Sequence, residues 1–486
     1  LHHIVRKNGI PLGFLLLDDG WQITKYMGLV DKGADEKKFP EGMKLFLETI
    51  KKNFRISDFI FWHTFQGYWA GLLRKGPYGK RFEALSLQFR RGPSNREQTH
   101  PWLKYLDKIE SWLYPISRHL KLPLGVALPS QMRKLWENYH GWLSSQGVTG
   151  VKVDNQSGTE MITFNLGYQA NLMKDYHRAF EESVSEHFSD YSLINCMSMN
   201  TSVFYQLIKS NITRNSDDYF PNRESAQPEH LILNAYNNLW TGYFSVPDWD
   251  MFQSNHPWGA YQAAARAISG SPIYFADDFQ SINPKIIKKV ALPNGKLLRC
   301  KNPALVCREM LFKNPTKPHR ALKIFNQNRF NAVLGIFNAM CTKKTTVDYS
   351  PSDVEGLESN KEYAMYKSEA KSLTKMKHLE NASIELDIRG FEIFTIAEIK
   401  EGFAPIGMLD KYNAGGIFEE IKTSDNWISI RVSYGGYLGF YSVQAPQKIL
   451  CEGEEITFNY NPTIHFLRFN CSPREHQTIK ILFGKV

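Results

Sequence analysis

Residues 147–154 read Gly147-Val-Thr-Gly-Val-Lys-Val-Asp154. The run is short and β-branched, with glycines at its start and a carboxylate at its end. That is the composition of a buried strand running into a loop. Side chains alternate faces along a strand, so Lys152 and Asp154 emerge on the same face. Six further short apolar runs lie in the first two-thirds of the chain, at 14–17, 59–62, 192–196, 212–214, 244–246 and 272–275. Several are separated by stretches long enough for a helix. The clearest helix has Pro257 at its first turn, the alanine-rich residues 261–268 as its body and Gly270 just past its end. Strands alternating with helices imply a parallel sheet.

Three of the runs end directly in carboxylates: Asp18-Asp19, Asp154 and Asp277-Asp278. Two more acidic clusters, Asp217-Asp218 and Asp248 with Asp250, follow other runs closely. Acids gathered at the C-terminal ends of strands are the sequence signature of a (β/α)8 barrel. A doubly wound sheet would instead carry a glycine-rich phosphate turn, and the sequence has none. Seven runs are one short of eight, and the chain opens on Leu1 with a helix-like stretch at 1–8. A closed barrel cannot omit a strand, so the expectation is a chain lacking its natural N-terminus and its first barrel strand.

Strand signals dominate after about residue 316, at 332–337, 391–397, 427–432, 437–441, 456–460, 464–469 and 478–483. Gly435-Gly436 and Glu452-Gly453 supply turns. The polar stretch 342–380 reads as a loop excursion. The expected division is therefore an N-terminally truncated catalytic barrel over 1–315 and a C-terminal antiparallel β-sandwich over 316–486.

The 486 residues are 42% hydrophobic and 22% charged, which excludes a disordered or fibrous chain. Aromatics reach 13%, suited to a large core or to stacking on sugars and bases. No apolar run approaches the roughly 18 residues of a membrane span, so no membrane partner is expected. The net charge is +10. Part of it lies between Arg74 and Pro101, in Arg74, Lys75, Lys80, Arg81, Arg90, Arg91 and Arg96 against Glu83 and Glu97. No nucleic-acid motif accompanies this stretch, so it reads as a solvated basic loop and no nucleic-acid partner is expected. Six cysteines without a Cys-x-x-Cys pair fit neither a zinc site nor a disulfide scaffold. The default expectation is a reducing cytoplasm, with no metal or organic cofactor.

Two carboxylates stand out chemically. Lysine beside Asp154 favours the ionised form that a nucleophile needs. Asp217, in Arg214-Asn-Ser-Asp-Asp218, has a second carboxylate beside it, and like charge raises a pKa toward that of a proton donor. Such a pair performs retaining glycoside chemistry when about 5–5.5 Å apart. Acids capping helix N-termini, or a divalent-metal site, are the alternatives from spacing alone.

Further motifs follow in one order. They are Leu17-Asp-Asp-Gly-Trp-Gln22, Trp62-His63 with Gly67-Tyr-Trp69, Val151-Lys-Val-Asp154, Arg214-Asn-Ser-Asp-Asp218, Pro247-Asp-Trp-Asp-Met-Phe252, and Ala263-Ala-Ala-Arg-Ala-Ile268 before Pro272-Ile-Tyr274. Together, over about residues 10–340, they resemble the raffinose synthase and alkaline α-galactosidase (seed imbibition protein) group of glycoside hydrolase family 36. The resemblance implies Asp154 as nucleophile and Asp217 as acid/base, with Asp218 in that role if the register differs by one. It implies Asp18, Asp19 and Lys152 as ligands of galactose hydroxyls and Arg214 near the C2 hydroxyl. Cys196 lines the pocket or packs. Trp21, Trp62 and Trp249 face the sugar or fill the core. His63 holds a hydroxyl or is structural, and Asp248 and Asp250 order a loop at the rim or reach the substrate. The implied activity is retaining hydrolysis of terminal α-galactosides through a covalent galactosyl-enzyme, with an α-galactoside oligosaccharide as substrate. The alternatives are raffinose-synthase-type transfer from galactinol to sucrose, and an inactive or truncated glycan-binding member. The sequence does not give the oligomeric state.

Overall fold

The computed structural model describes residues 1–87, 124–163, 166–278 and 280–484. Arg90, Arg91, Arg96 and Glu97 of the basic stretch lie outside the described residues. The fold is of the α/β class read from the sequence: barrel-type parallel strands with helices, followed by antiparallel sheets packed as a sandwich. Two compact units form, an N-terminal unit of Leu12–Arg214 and a C-terminal unit of Leu1–Pro11 with Asn215–Val486. The compact units thus divide after Arg214, whereas the expected domain boundary lay at 315/316.

In the N-terminal unit the chain runs β1 (Phe14–Leu17), β2 (Gln22–Lys25), β3 (Gly28–Ala34), α1 (Met43–Phe54), β4 (Asp58–Thr64), α2 (Pro77–Arg81), β5 (Leu85–Leu87), β6 (Leu124–Val126), α3 (Pro129–Gln146), β7 (Gly150–Asp154), α4 (Gln156–Thr163), α5 (Gln169–His187), β8 (Leu193–Asn195), α6 (Thr201–Phe204) and β9 (Ile212–Arg214). Strands β1, β4, β7, β8 and β9 lie side by side in that order, and the pairings from β1 through β9 are parallel. Every residue of β7 is buried, as expected of a parallel strand covered on both faces. Helix α3 ends at Gly147, whose φ of 98° is a left-handed cap that turns the chain into β7. The β2–β3 hairpin escaped the sequence reading. Its turn residues, Tyr26 and Met27, both take positive φ, a conformation usually signalled by Asn or Gly.

The two faces of β4 do different work. His63 points away from the Trp62 and Thr64 face and meets Trp136 and Tyr139 of α3. Its Nδ1 donates to the Thr64 carbonyl at 2.9 Å, which leaves Nε2 to accept from His140 Nε2 at 3.2 Å. His140 Nδ1 then accepts from Ser183 Oγ of α5 at 2.9 Å. The network fixes both tautomers as neutral rings. His63 is therefore structural. Nearby, His177 stacks on Phe65 at 4.6 Å. Burial lowers His63 to about 4 and His177 to about 3, and holds His140 well below its ordinary value.

In the C-terminal unit, α7 (Ala226–Thr241), β10 (Val246–Asp248), α8 (Gly259–Ser269) and α9 (Pro284–Val290) precede the antiparallel part. Strand β10 starts two residues later than expected, because residues 242–245 are still turning out of α7. The run at 272–275 forms no strand. It makes one bridge, Phe252 to Phe275, and Pro272 has no N–H to contribute to a ladder. Helix α8 ends as read, at Gly270 with φ 77°. Its Arg266 is fully buried and donates to the carbonyls of Trp249, Asp250 and Met251 at 2.7, 2.8 and 2.8 Å. One guanidinium thereby fixes the loop after β10. Burial lowers Arg266 to about 10, opposed by the nearby Asp250 carboxylate.

The antiparallel part comprises β11 (Leu305–Val306), β12 (Leu322–Gln327), β13 (Ala332–Phe337), β14 (Thr345–Tyr349), β15 (Glu362–Lys367), β16 (Ser372–Lys377), β17 (Ala382–Leu386), β18 (Phe391–Glu398), β19 (Phe403–Met408), β20 (Phe418–Ser424), β21 (Trp427–Tyr434), β22 (Tyr437–Ser442), β23 (Lys448–Cys451), β24 (Glu454–Ile456), β25 (Phe458–Asn461), β26 (Phe466–Asn470) and β27 (Glu475–Leu482). The sheet β11-β12-β13-β18-β15-β16 packs on α8 through Leu322, Ile324, Val333 and Phe337. The sheets β19-β22-β26-β25 and β20-β21-β27-β23-β24 enclose Phe440, Leu467, Ile430, Val432, Ile479 and Ile481. The stretch 342–380 is not a loop; it carries β14, β15 and β16. In β14, Thr345, Val347 and Tyr349 are buried while Thr346 and Asp348 are exposed, a period of two masked by polar outer residues. The run 456–460 breaks at Thr457. Ile456 pairs with Ile449 in one sheet and Phe458 with Phe469 in the other, so the chain changes sheets there. No described helix is long and apolar enough to cross a membrane.

Two predictions follow from these buried groups. The unfolded chain binds protons near the ordinary histidine value of about 6.5, and the folded histidines only well below it. Stability is then full above pH 6.5 and falls as pH drops from 6.5 toward 4. Urea midpoints should decline from pH 7 to pH 5, and a His177→Phe variant should show a shallower decline; parallel curves would contradict this. Arg266→Met should lower unfolding free energy by about 3 kcal/mol or more, because three buried carbonyls lose their donor. A loss under 1 kcal/mol by denaturant titration would show that the loop does not depend on it.

Candidate active site

The carboxylate cluster of the N-terminal unit is built from the ends of β1, β4 and β7. Strands β4 and β7 pair with Trp62 opposite Lys152 and Thr64 opposite Asp154. Asp154 is buried, and each of its oxygens accepts a nitrogen donor. Oδ2 takes the Trp62 indole Nε1 at 3.1 Å and Oδ1 the Asn155 backbone N–H at 2.7 Å. Lys152, two residues earlier on the same face, is also buried and extends its Nζ to within 2.6 Å of Asp18 Oδ2. The Asp18 side chain is half exposed, at 52%. The sequence expectation set Lys152 to support Asp154. The structure shows Lys152 in an ion pair with Asp18, and adds an indole and an amide as donors to Asp154.

Asp19 is held from the loop that follows β4. Tyr68 Oη donates to Oδ1 at 2.6 Å and Trp69 Nε1 to Oδ2 at 2.8 Å. Burial and the adjacent Asp19 charge raise the Tyr68 phenol, so it stays a donor. The loop returns because Gly67 takes φ 103° and Thr64 Oγ1 donates to the Tyr68 carbonyl at 2.7 Å. Tyr68 and Trp69 had no role assigned from the sequence. Their signal was position, an aromatic pair just past a strand that carries Trp62.

The three tryptophans separate. Trp62 is buried but touches the site through its bond to Asp154, and its ring lies 5.3 Å from that of Trp69. Trp21 is not a sugar-facing ring. It is 3% exposed, stacks on Tyr139 and Trp142, meets Phe61 edge-on, and spends its Nε1 on the Trp62 carbonyl at 2.7 Å. Trp249 is fully buried in the core of the C-terminal unit and is likewise not sugar-facing. Trp69, partly exposed beside Asp19, is the ring the site presents. Cys196 and Arg214 are both buried, with Arg214 Nη1 at 3.9 Å from the Cys196 sulfur.

In the C-terminal unit, α7 pins the segment around Asp217 through its neighbours. Asn215 Nδ2 donates to the Asn234 carbonyl and to Asn238 Oδ1 at 2.8 and 2.7 Å, and Thr241 Oγ1 donates to Asn215 Oδ1 at 2.7 Å. Ser216 Oγ lies 3.0 Å from His230 Nε2. Asp217 and Asp218 are left exposed, and Asp217 Oδ1 accepts the Asp218 N–H at 2.9 Å. Asp248 and Asp250 are ordering acids, as expected, but they are buried and do not lie at a rim. Tyr274 Oη donates to Asp248 Oδ2 at 2.8 Å, and Asp250 Oδ2 accepts the Tyr219 N–H at 2.8 Å. Among the described residues, no three His, Cys, Asp or Glu side chains converge as metal ligands.

The placement of Trp21 and Trp69 predicts unequal responses to truncation. Trp21→Ala should cost about 3–5 kcal/mol of stability, and Trp69→Ala about 1 kcal/mol. Denaturant titration of both variants checks this, and equal losses would contradict it.

The sequence matches the family described as "Raffinose synthase or seed imbibition protein Sip1" over residues 29–471. Among curated relatives, a probable galactinol–sucrose galactosyltransferase 6 of Arabidopsis thaliana is 29% identical, over 95% of this chain and 66% of its own length. A galactinol–sucrose galactosyltransferase of Pisum sativum is 28% identical, over 93% and 64%. The chain therefore spans about two-thirds of the length of these relatives. Among solved structures, an α-galactosidase from Saccharomyces cerevisiae superposes with a TM-score of 0.51 at 11% identity, over 82% of this chain and 91% of that one. That likeness is one of fold. With the family matched across most of its length, the chain belongs to the raffinose synthase or seed imbibition protein family.

Proposed function

We propose that this protein is a retaining galactosyltransferase, moving an α-galactosyl group from a galactoside donor such as galactinol onto a sugar hydroxyl such as that of sucrose. The observation that carries the chemistry is the Asp154 carboxylate, buried and oriented by a donor on each oxygen. The choice of transfer over hydrolysis is supported by the relatives, which are named as galactinol–sucrose galactosyltransferases. They reverse the order expected from the sequence, which put α-galactosidase hydrolysis first.

In the first step an Asp154 oxygen forms a bond to the anomeric carbon as the bond to the leaving oxygen breaks. The proposed acid, Asp217, gives that oxygen its proton. A covalent β-galactosyl-enzyme results. In the second step Asp217 takes the proton of the acceptor hydroxyl, whose oxygen attacks the anomeric carbon and releases Asp154. Two inversions restore the α configuration. Asp18, Asp19 and Lys152 present charged groups suited to galactose hydroxyls, and Trp69 presents a ring face suited to an apolar sugar face. Transfer and hydrolysis differ only in whether a sugar or water supplies the second-step oxygen.

The test is incubation of the protein with galactinol and sucrose, with trisaccharide and free galactose measured together. Trisaccharide should exceed galactose, and both should fall by about 10³-fold or more in Asp154→Ala. Galactose without trisaccharide would return the reading to hydrolysis. Unchanged turnover in Asp154→Ala would remove the nucleophile assignment.

A further inference from the structure

The antiparallel part of the C-terminal unit contains a cavity of about 490 Å³ that galactosyl transfer does not use. It lies between α9, the β15–β16 turn and the ends of β19, β22 and β26. Its size is in the range of small-molecule sites. Six cationic side chains line it against two carboxylates, Glu369 and Asp410. Each acid is already engaged: Glu369 by Lys289 at 2.6 Å and Asp410 by Lys411 at 3.3 Å. Lys285, Lys288, Lys371 and Arg468 make no ion pair among the described residues. They converge from α9, the β15–β16 turn and β26, three separate elements, so the positive charge is gathered by the fold and not by a run of sequence.

The walls of the cavity are aromatic. Tyr412 is 1% exposed, and its hydroxyl has no hydrogen-bond partner among the described residues. Arg468 donates through Nη2 to Asn459 Oδ1 at 2.9 Å, and its Nε is enclosed with no acceptor among the described residues. Lys289 sits over the Tyr412 ring at 4.8 Å, and Arg468 lies over Phe466 at 4.9 Å, which holds these cations against aromatic walls. Tyr366 and Tyr437 complete an aromatic lining. Four cations with no ion pair among the described residues, gathered beside aromatic walls, favour an anion that offers several oxygens. A carboxylate neutralises one cation; a phosphate monoester carries up to two charges and three terminal oxygens.

We propose that this cavity binds a small phosphomonoester, with its phosphate held by Lys285, Lys288, Lys371 and Arg468 and its organic part packed on the tyrosine rings. The site is separate in residues from the carboxylates assigned to galactosyl transfer, so occupancy and transfer can be read independently.

Isothermal titration of the whole protein with a hexose 6-phosphate, a nucleoside 5′-monophosphate and inorganic phosphate tests it. At least one ester should bind saturably, more tightly than inorganic phosphate and more weakly as salt rises. The preferred ester identifies the source as sugar or nucleotide. Lys285→Glu combined with Lys371→Glu changes two exposed side chains and should raise the dissociation constant about tenfold or more. No saturable binding of either ester, equal affinity for inorganic phosphate, or an unchanged constant in the double lysine variant would each overturn the proposal.

Discussion

The register between β4 and β7 is the constraint from which the N-terminal site follows. Trp62 lies opposite Lys152, and Thr64 opposite Asp154. That alignment lets the Trp62 indole reach the Asp154 carboxylate while its neighbour His63 points into the helices. A slip of one residue would turn His63 toward the carboxylate and put an indole where the His140 pair now sits. The register is held on both sides. Inward, the indole satisfies a buried carboxylate. Outward, the chain from Ser183 through His140 and His63 to the Thr64 carbonyl satisfies four buried polar groups in series. Neither face tolerates the other's residue, so the two networks specify one alignment.

The same economy of buried polar groups shapes the loop after β10. A loop of alternating acids and aromatics has backbone carbonyls with no sheet to pair with. Arg266 supplies three of them with one rigid fork of donors. Asp248 and Asp250 take up Tyr274 and the Tyr219 amide. These acids read as exposed in a bare sequence because Asp is seldom buried. Here each buried oxygen named has a donor within about 3 Å.

The antiparallel part shows the converse. Its cores are apolar and its strands alternate, yet α9 and the β15–β16 turn bring lysines into a cavity with aromatic walls. Like charges so gathered are tolerated because most stay in contact with water. The two enclosed atoms, Tyr412 Oη and Arg468 Nε, are the ones that water does not reach.

The sequence by itself determined much of this protein. Short apolar runs ending in carboxylates placed Asp18, Asp19 and Asp154 at strand ends, and the i, i+2 spacing put Lys152 and Asp154 on one face. Those features depend on neighbours along the chain, where strand periodicity is enforced by covalent geometry. The sequence left open which tryptophan meets the site, which residue braces Asp19 and which partner Lys152 takes. Trp21 and Trp69 are equally aromatic and equally near a motif. Only packing against Tyr139 and Trp142 buries the first, and only the return of the Gly67 loop brings the second to Asp19. The strands within 342–380 and the break at Thr457 were hidden for a related reason. Their burial comes from sheets far away in sequence, and a side chain's environment in a sheet is set by partners that no local pattern names.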